Sequence, residues 1–169
     1  SGEIGMNMNL YAYGPEDNQK WIIVDMGVTF ADDSIPGVDL IFPDAGFIID
    51  KKQDLLGIVL THAHEDHIGS VAHIWPQLKC KIYATPFTAV LIQEKFKEKK
   101  IDISKFLNIV PLNTKIKLGS FEIDFITLTH SILEPNGLGI TTPLGTILHT
   151  GDWKIDPNPL IGGDIDEQK

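Results

Sequence analysis

The sequence predicts an α+β fold in which β-sheets pack face to face with helices on the outside. Two observations support this class: segments with strand-like patterns outnumber helical ones, and the helical segments cluster in the middle of the chain. Sheets and helices each have an apolar face that layered packing buries. The 169 residues suggest one domain with a substantial core.

The first half of the chain predicts three strands and a helix. Two strands, residues 8–13 and 21–25, flank a turn-rich segment, and residues 31–46 carry enough Gly, Pro and Asp to predict a long ordered loop. A strand at 57–61 then leads through a polar run to a helix that ends near Pro76.

The remaining elements are mostly strands. Residues 81–84 form a short predicted strand, and Pro86 begins a helix over 87–99 because proline is favoured at the first helical position. Val90 and Phe96 within it have helical spacing. Five further strands are predicted: residues 106–111, 115–118, 121–128, 138–142 and 146–150.

Composition and charge narrow the classes of function. The net charge of −9 is unfavourable for binding nucleic-acid backbone, although bound divalent cations would cancel part of it. The cluster Lys95, Lys97, Lys99 and Lys100 is interpreted as a solvated helix face, with phosphate contact as the alternative. A lone cysteine, Cys80, excludes an intramolecular disulfide. Without a spanning apolar run or a signal-peptide pattern, the sequence predicts a cytoplasmic protein with no membrane partner.

The run from Thr61 to His67 is the most informative segment. Four of its residues can ligate a transition metal: His62, His64, Asp66 and His67. Neutral imidazole and carboxylate suit Zn²⁺, Mn²⁺ or Fe²⁺. Asp66 falls where a helix N-cap is expected. Chance is a weak explanation for three of these histidines, because the chain has six in total. We therefore predict a metal site on this strand-to-helix loop.

Three further residues lie at the ends of predicted strands. Asp25 ends the second strand, His130 follows 121–128, and Asp152 follows 146–150. Taken singly, His130 would be interpreted as a loop histidine and Asp152 as a turn acid. Since strand ends at one edge of a sheet converge on a shared pocket, both become predicted ligands beside the first motif.

These residues together resemble a known family. The run His62 to His67 matches the HxHxDH signature of the metallo-β-lactamase superfamily. The flanking segments are similar to the ribonuclease J family of its β-CASP branch, across essentially the whole chain. The segments that carry this similarity are residues 3–7, 36–44, 61–69, 129–131 and 149–154.

The resemblance implies a four-layer αββα metallo-β-lactamase-like sandwich and a site with two Zn²⁺ ions, or Mn²⁺. His62, His64 and His130 would hold the first zinc; Asp66 and His67 would hold the second, Asp152 would bridge them, and Asp25 would orient ligands. By this resemblance, the site would hydrolyse phosphodiester bonds of single-stranded RNA, as an endonuclease or a 5′-to-3′ exonuclease. The full-length protein would be a cytoplasmic homo-oligomer acting in RNA processing and decay.

Two departures from the family pattern shape the expectations. Residues 132–136 read Ile-Leu-Glu-Pro-Asn where the family usually has Ile-Pro-Asp-Ser, which changes the loop after His130. Residues 1–169 correspond to the N-terminal portion of the metallo-β-lactamase domain and end near the expected β-CASP insertion. A last histidine ligand and the pocket for the RNA 5′-phosphate would lie beyond them. We therefore expect weak metal binding and little nuclease activity from this portion alone.

Two other functions use the same observations. A thioester or lactone hydrolase of the glyoxalase II type would use the HxHxDH residues on an acyl substrate. A metal-free binding module would have lost its metal, which the retention of all six ligand positions argues against. A secreted β-lactamase is disfavoured because no export signal is seen.

Overall fold

The computed structural model describes residues 5–33, 35–156 and 158–160. The strands in these ranges are β1 (Asn9–Tyr13), β2 (Lys20–Val24), β3 (Thr29–Phe30), β4 (Leu40–Ile41), β5 (Leu55–Val59), β6 (Ile82–Ala84), β7 (Leu107–Ile109), β8 (Lys115–Leu118), β9 (Phe121–Thr127), β10 (Asn136–Thr142) and β11 (Gly145–His149). The helices are α1 (Gly46–Asp50), α2 (Glu65–Ile68), α3 (Val71–Leu78) and α4 (Pro86–Glu98), with a 3₁₀ turn at Lys52–Asp54.

A mixed five-stranded sheet has the order β1-β2-β5-β6-β7. Strands β2, β5, β6 and β7 run parallel, and β1 pairs antiparallel with β2. Strand β2 is apolar on consecutive residues, Ile22, Ile23 and Val24, and all three are buried. Such runs are typical of strands covered on both faces, so this sheet is the central layer.

A second sheet is antiparallel, with the order β11-β10-β9-β8. In β9, Phe121, Ile123 and Phe125 are buried whereas Glu122 is exposed. This alternation is expected for a sheet with one face against the core. Strands β3 and β4 form a separate two-stranded hairpin.

Two apolar clusters hold these layers together. One lies between the sheets, where Val24 and Val59 meet Phe125 and Leu138. The other lies between the mixed sheet and the helices, and includes the buried side chains Ile58, Leu60, Ile74, Trp75, Ile92 and Phe96. The α+β sandwich is thus confirmed, and the described ranges supply one helical layer and both sheets. No helix in these ranges has the length and apolar character needed to cross a membrane.

The structure differs from the sequence predictions at two places. The helix after the metal motif is two short helices, and α3 continues through Pro76 to Leu78. Burial of Trp75 and Leu78 in the helix-side cluster offsets the hydrogen bond that Pro76 lacks. In addition, the predicted loop at 31–46 contains β4, which pairs with β3.

Candidate metal centre

The predicted site residues converge where strands of both sheets end. Asp25 follows β2 and His62 follows β5, and these two strands are parallel neighbours. His130 follows β9, and Asp152 follows β11, both in the second sheet. The docking of one sheet on the other therefore brings together side chains from four separate parts of the chain.

Three histidines form a first group of potential ligands. The ligand atoms of His62, His64 and His130 all lie within 4.8 Å of one another. His64 Nδ1 is 3.2 Å from His130 Nε2. Two ligands of a tetrahedral ion with bonds of about 2.1 Å stand about 3.4 Å apart, so this spacing suits one metal ion.

A second group adjoins the first. His67 Nε2 lies 3.4 Å from Asp152 Oδ2 and 3.6 Å from Asp66 Oδ2. The ligand atoms of His62, His67 and Asp152 also lie within 4.8 Å of one another. Asp152 Oδ2 is 3.9 Å from His130 Nε2, which places this carboxylate between the two groups. All six residues predicted as ligands therefore line one centre.

An unpartnered nitrogen supports metal binding at this centre. His62 is fully buried, and its Nε2 has no hydrogen-bond partner among the described residues. A buried polar atom without a partner is costly, and coordination of a cation would satisfy it. Imidazole and carboxylate are also the donors that zinc and manganese accept. The residues therefore fit a divalent transition metal.

The Asp25 carboxylate accepts hydrogen bonds from two residues of the metal loop, Thr61 and His67. Its Oδ1 accepts a hydrogen bond from Thr61 N at 2.8 Å, and its Oδ2 accepts one from Thr61 Oγ1 at 2.8 Å. His67 Nδ1 is 2.7 Å from the same Oδ2. Asp25 adopts a left-handed backbone conformation with φ of 61°, which aspartate tolerates better than most residues. These contacts place Asp25 behind the metal loop, and its role in orienting ligands stays a prediction.

These contacts determine which ring nitrogens carry hydrogens. Because Asp25 accepts, the neutral His67 ring carries its hydrogen on Nδ1 and has its lone pair on Nε2. Thr61 Oγ1 gives its hydrogen to Asp25 and lies 3.0 Å from His62 Nδ1, so it accepts from that nitrogen. His62 Nε2 is then also a free lone pair. Both rings present an acceptor nitrogen to the centre.

The electrostatics of the histidines differ with their surroundings. Burial, reinforced by the neighbouring His67, His64 and His130, lowers the pKa of His62 to about 2. Burial also acts to lower the pKa of His67, but the hydrogen bond and charge of Asp25 outweigh it and raise this pKa. His62 is therefore neutral at physiological pH, the form that binds metal.

The predicted helix-capping role of Asp66 is wrong. The chain leaves the extended conformation at His64, with φ of −71° and ψ of 150°, so α2 begins at Glu65 and Asp66 lies inside its first turn. The Asp66 carboxylate points instead towards His67 and Asn7. Its position near a helix N-terminus still favours negative charge.

A close backbone contact holds α2 against the end of β2. A Cβ atom at Gly27 would lie 1.6 Å from the carbonyl oxygen of Asp66. Met26 N donates to His67 O at 2.7 Å, and Ser70 N donates to Met26 O at 3.0 Å. Glycine is therefore required at position 27 for the metal loop to approach the sheet.

The loop after His130 has its own anchors. Glu134 Oε2 accepts a hydrogen bond from Phe87 N at 2.8 Å, in the first turn of α4. Asn136 Nδ2 donates to Thr61 O at 3.1 Å. The residues that depart from the family pattern thus tie this loop to α4 and to the metal loop. No local sequence pattern marks Glu134, Asn136 or Asn7, because each acts through a contact with a distant segment.

Comparisons with known proteins agree with this fold. The family model described as the metallo-beta-lactamase superfamily matches residues 9–159, and the chain belongs to this superfamily. The metallo-beta-lactamase fold protein YhfI from Bacillus subtilis superposes with a TM-score of 0.59 at 16% identity, covering 89% of this chain and 56% of that one. Zn²⁺-bound PqqB from Methylobacterium extorquens superposes with a TM-score of 0.55 at 11% identity, covering 80% of this chain and 49% of that one. These two likenesses concern the fold alone.

Similarity in sequence confirms the predicted resemblance to the ribonuclease J family. The chain is 44% identical over 170 residues to ribonuclease J of Sinorhizobium meliloti, covering 99% of this chain and 30% of the relative. It is 39% identical to ribonuclease J of Helicobacter pylori strain 26695, covering 94% and 23%. It is 36% identical to ribonuclease J of Thermus thermophilus, covering 95% of this chain and 29% of the relative. The chain thus spans less than a third of the length of these relatives.

Proposed function

We propose that the chain is the N-terminal portion of a metal-dependent ribonuclease that hydrolyses RNA phosphodiester bonds. The observation that carries this proposal is the pairing of two adjoining ligand groups with ribonuclease J similarity along 99% of the chain. Residues 1–169 would form the N-terminal portion of the metallo-β-lactamase domain, ending near a β-CASP insertion. RNA processing and decay in the cytoplasm, by a homo-oligomeric full-length protein, is the corresponding cellular role.

The ligand roles follow the two groups. His62, His64 and His130 would hold one ion, and Asp66 with His67 would hold the second. Asp152 would bridge them, as supported by its 3.4 Å distance to His67 and its 3.9 Å distance to His130. We propose zinc as the resident metal, with manganese as the alternative, because the donors are imidazole and carboxylate.

The chemistry of hydrolysis would then divide between metal and protein. When bound, two divalent ions would supply a water of lowered pKa and would stabilise the oxygens of an in-line displacement. Asp25 holds the proton on His67 Nδ1, and Thr61 holds His62 with its Nε2 facing the centre. The Asp152 side chain is 44% exposed, so a substrate phosphate can reach the site from solvent. Single-stranded RNA, cut internally or from the 5′ end, is the proposed substrate.

Lys154 is a poorer candidate for phosphate contact than its position suggests. Its backbone N donates to Thr129 O at 2.9 Å, which fixes the segment after Asp152 beside the His130 loop. Its ammonium group lies 3.0 Å from Asp156 Oδ2. These contacts favour a structural role for this lysine.

An activity comparison tests the proposal against the glyoxalase II-type alternative. The protein encoded by the complete gene would be assayed on 5′-monophosphorylated single-stranded RNA and on S-lactoylglutathione, in the presence of Zn²⁺ or Mn²⁺. We expect RNA hydrolysis that His62→Ala abolishes and that the matched variant His73→Ala leaves unchanged, because His73 is exposed and stacks on Phe42 outside the centre. Thioester hydrolysis without RNA cleavage would favour the alternative.

The same assay on residues 1–169 tests the expected incompleteness. We expect weak binding of Zn²⁺ or Mn²⁺ and little or no RNA turnover. Robust turnover by this portion alone would contradict the proposal that a ligand and the RNA channel lie elsewhere. No measurable affinity for either metal at any pH would instead support a metal-free binding module.

A further inference from the structure

We propose that Asn7 is a positioning residue for the second metal, holding Asp66 beside the His67 ring through the Asp66 backbone carbonyl and carboxylate. This inference rests on the proposed metal centre. Asn7 lies just before β1, and 59 residues separate it from Asp66. Its role therefore depends on tertiary structure.

The side-chain amide of Asn7 contacts both ligands. Its Nδ2 lies 3.1 Å from the backbone oxygen of Asp66, 3.4 Å from Asp66 Oδ2 and 3.1 Å from His67 Nε2. The last two atoms are those proposed to bind the second ion, and they are 3.6 Å apart. Two ligands of a tetrahedral zinc stand about 3.4 Å apart, so the amide lies beside a pair at close to that spacing. A cation on His67 Nε2 would take the single lone pair that faces the amide, and the two contacts to Asp66 would remain.

The orientation of the amide follows from its partners. The backbone oxygen and the carboxylate of Asp66 accept hydrogen bonds only. In the neutral ring, His67 Nε2 is also an acceptor, because the one ring hydrogen is on the nitrogen that faces Asp25. Three acceptors therefore face Nδ2, and its two hydrogens reach all three only if one hydrogen is shared between two acceptors. The opposite amide orientation would place an oxygen against all three.

The backbone around Asn7 keeps the amide in place. Asn7 N donates to Asp66 O at 2.9 Å, so the main chain and the side chain of Asn7 bind the same carbonyl. Gly27 N donates to Asn7 O at 2.9 Å, and Met6 N donates to Val28 O at 3.1 Å. The segment before β1 is thus hydrogen-bonded both to the residues after β2 and to the metal loop. These bonds hold the side-chain amide of Asn7 in place.

Two substitutions and a matched control test this role in the protein encoded by the complete gene. Asn7→Ala removes the amide, and Asn7→Asp replaces the donor with an acceptor. Asn9→Ala is the control, because Asn9 is the same residue type in the adjoining strand and is exposed. Each protein would be titrated with Zn²⁺ by calorimetry with a competing chelator, and with Mn²⁺ by electron paramagnetic resonance. Thermal unfolding in chelator would report on the fold alone.

We expect Asn7→Ala to weaken the second binding step by about tenfold or more, the usual effect of losing a ligand's hydrogen-bond partner. The first step should change little, since no hydrogen bond within the described ranges joins Asn7 to His62, His64 or His130. The resonance signal of two spin-coupled Mn²⁺ ions should fade while that of a single bound ion remains. Asn7→Asp should unfold at a lower temperature than Asn7→Ala in chelator, because its carboxylate would face Asp66.

The possible failures are distinguishable. An unsubstituted chain that binds no metal would overturn both the proposed function and this inference. Two-step binding that Asn7→Ala leaves unchanged would overturn the role of Asn7 alone. Equal weakening of both steps, together with a lower unfolding temperature in chelator, would show a general structural role and also overturn it.

Discussion

The Asp25 carboxylate lies 2.7 Å from His67 Nδ1, and both side chains are buried. The same carboxylate accepts two hydrogen bonds from Thr61. Asp25, at the end of β2, therefore fixes the positions of both Thr61, the first residue of the metal loop, and His67, its last histidine. Because His67 donates to Asp25, its other ring nitrogen is available to a cation.

Asp25→Asn should weaken metal binding without a large change in volume. Its amide would present an NH₂ group where Thr61 or His67 needs an acceptor, which disturbs the hydrogen-bonded form of the ring. We expect a loss of about tenfold or more in second-site affinity for Zn²⁺, and about 1–3 kcal/mol of unfolding free energy in chelator. Calorimetry measures the affinity, and urea unfolding measures the free energy of unfolding. Asp17→Asn, in the exposed turn between β1 and β2, is the control; similar losses in the two variants would contradict the role of Asp25.

Gly27→Ala should be among the most damaging small substitutions in the chain. The new methyl group would lie 1.6 Å from Asp66 O, so α2 must move away from the end of β2. We expect a loss of about 4 kcal/mol or more, or failure to fold. In Gly46→Ala the methyl group meets the exposed Asp44 carboxylate at 3.1 Å, and we expect a change below about 1 kcal/mol. Denaturant unfolding compares the two, and equal stability would contradict the close approach.

Glu134→Ala should destabilise α4 and loosen the His130 loop together. The lost hydrogen bond to Phe87 N and the lost charge near the helix N-terminus cost about 1 kcal/mol. Glu134→Gln keeps a hydrogen-bond acceptor for Phe87 N and should retain part of this stabilisation. We also expect lower first-site metal affinity in Glu134→Ala, whereas Glu16→Ala, in an exposed turn, should change neither property. Unchanged unfolding temperature and affinity in Glu134→Ala would show that the contact is dispensable.

The chain in chelator should lose stability as the pH falls from 7 to 5. His62 has a folded pKa of about 2 against about 6.5 when unfolded, so the unfolded chain takes up a proton in this range and the folded chain does not. Each such group contributes at most about 1.4 kcal/mol per pH unit. Burial lowers the pKa of His130 and His149 in the same sense, whereas the raised pKa of His67 opposes them. Urea unfolding at three pH values should show a smaller slope for His62→Asn; an identical slope would refute the shift.

The sequence predicts most helices and strands because short stretches of residues determine them. Proline at position 86 begins α4 as expected, and alternation of apolar residues marks β9. The six potential ligands were also recognisable, since ligand residue types cluster at strand ends. The role of Asn7 was not, because an asparagine before a strand carries no signal until the fold places it against Asp66. The start of α2 was misplaced for a similar reason: packing against Gly27, rather than the capping preference of Asp66, sets where the helix begins.

The first ligand group spans both sheets, and this has a consequence for folding kinetics. His64 and His130 are 66 residues apart in the chain, and the strands before them belong to different sheets. Contacts of such separation form late, after the entropy of closing a long loop has been overcome. A cation held by both rings would act as a cross-link that slows the separation of the sheets. Metal retention over time would therefore report the lifetime of the native state, and a partly folded chain would carry all the histidines without a site.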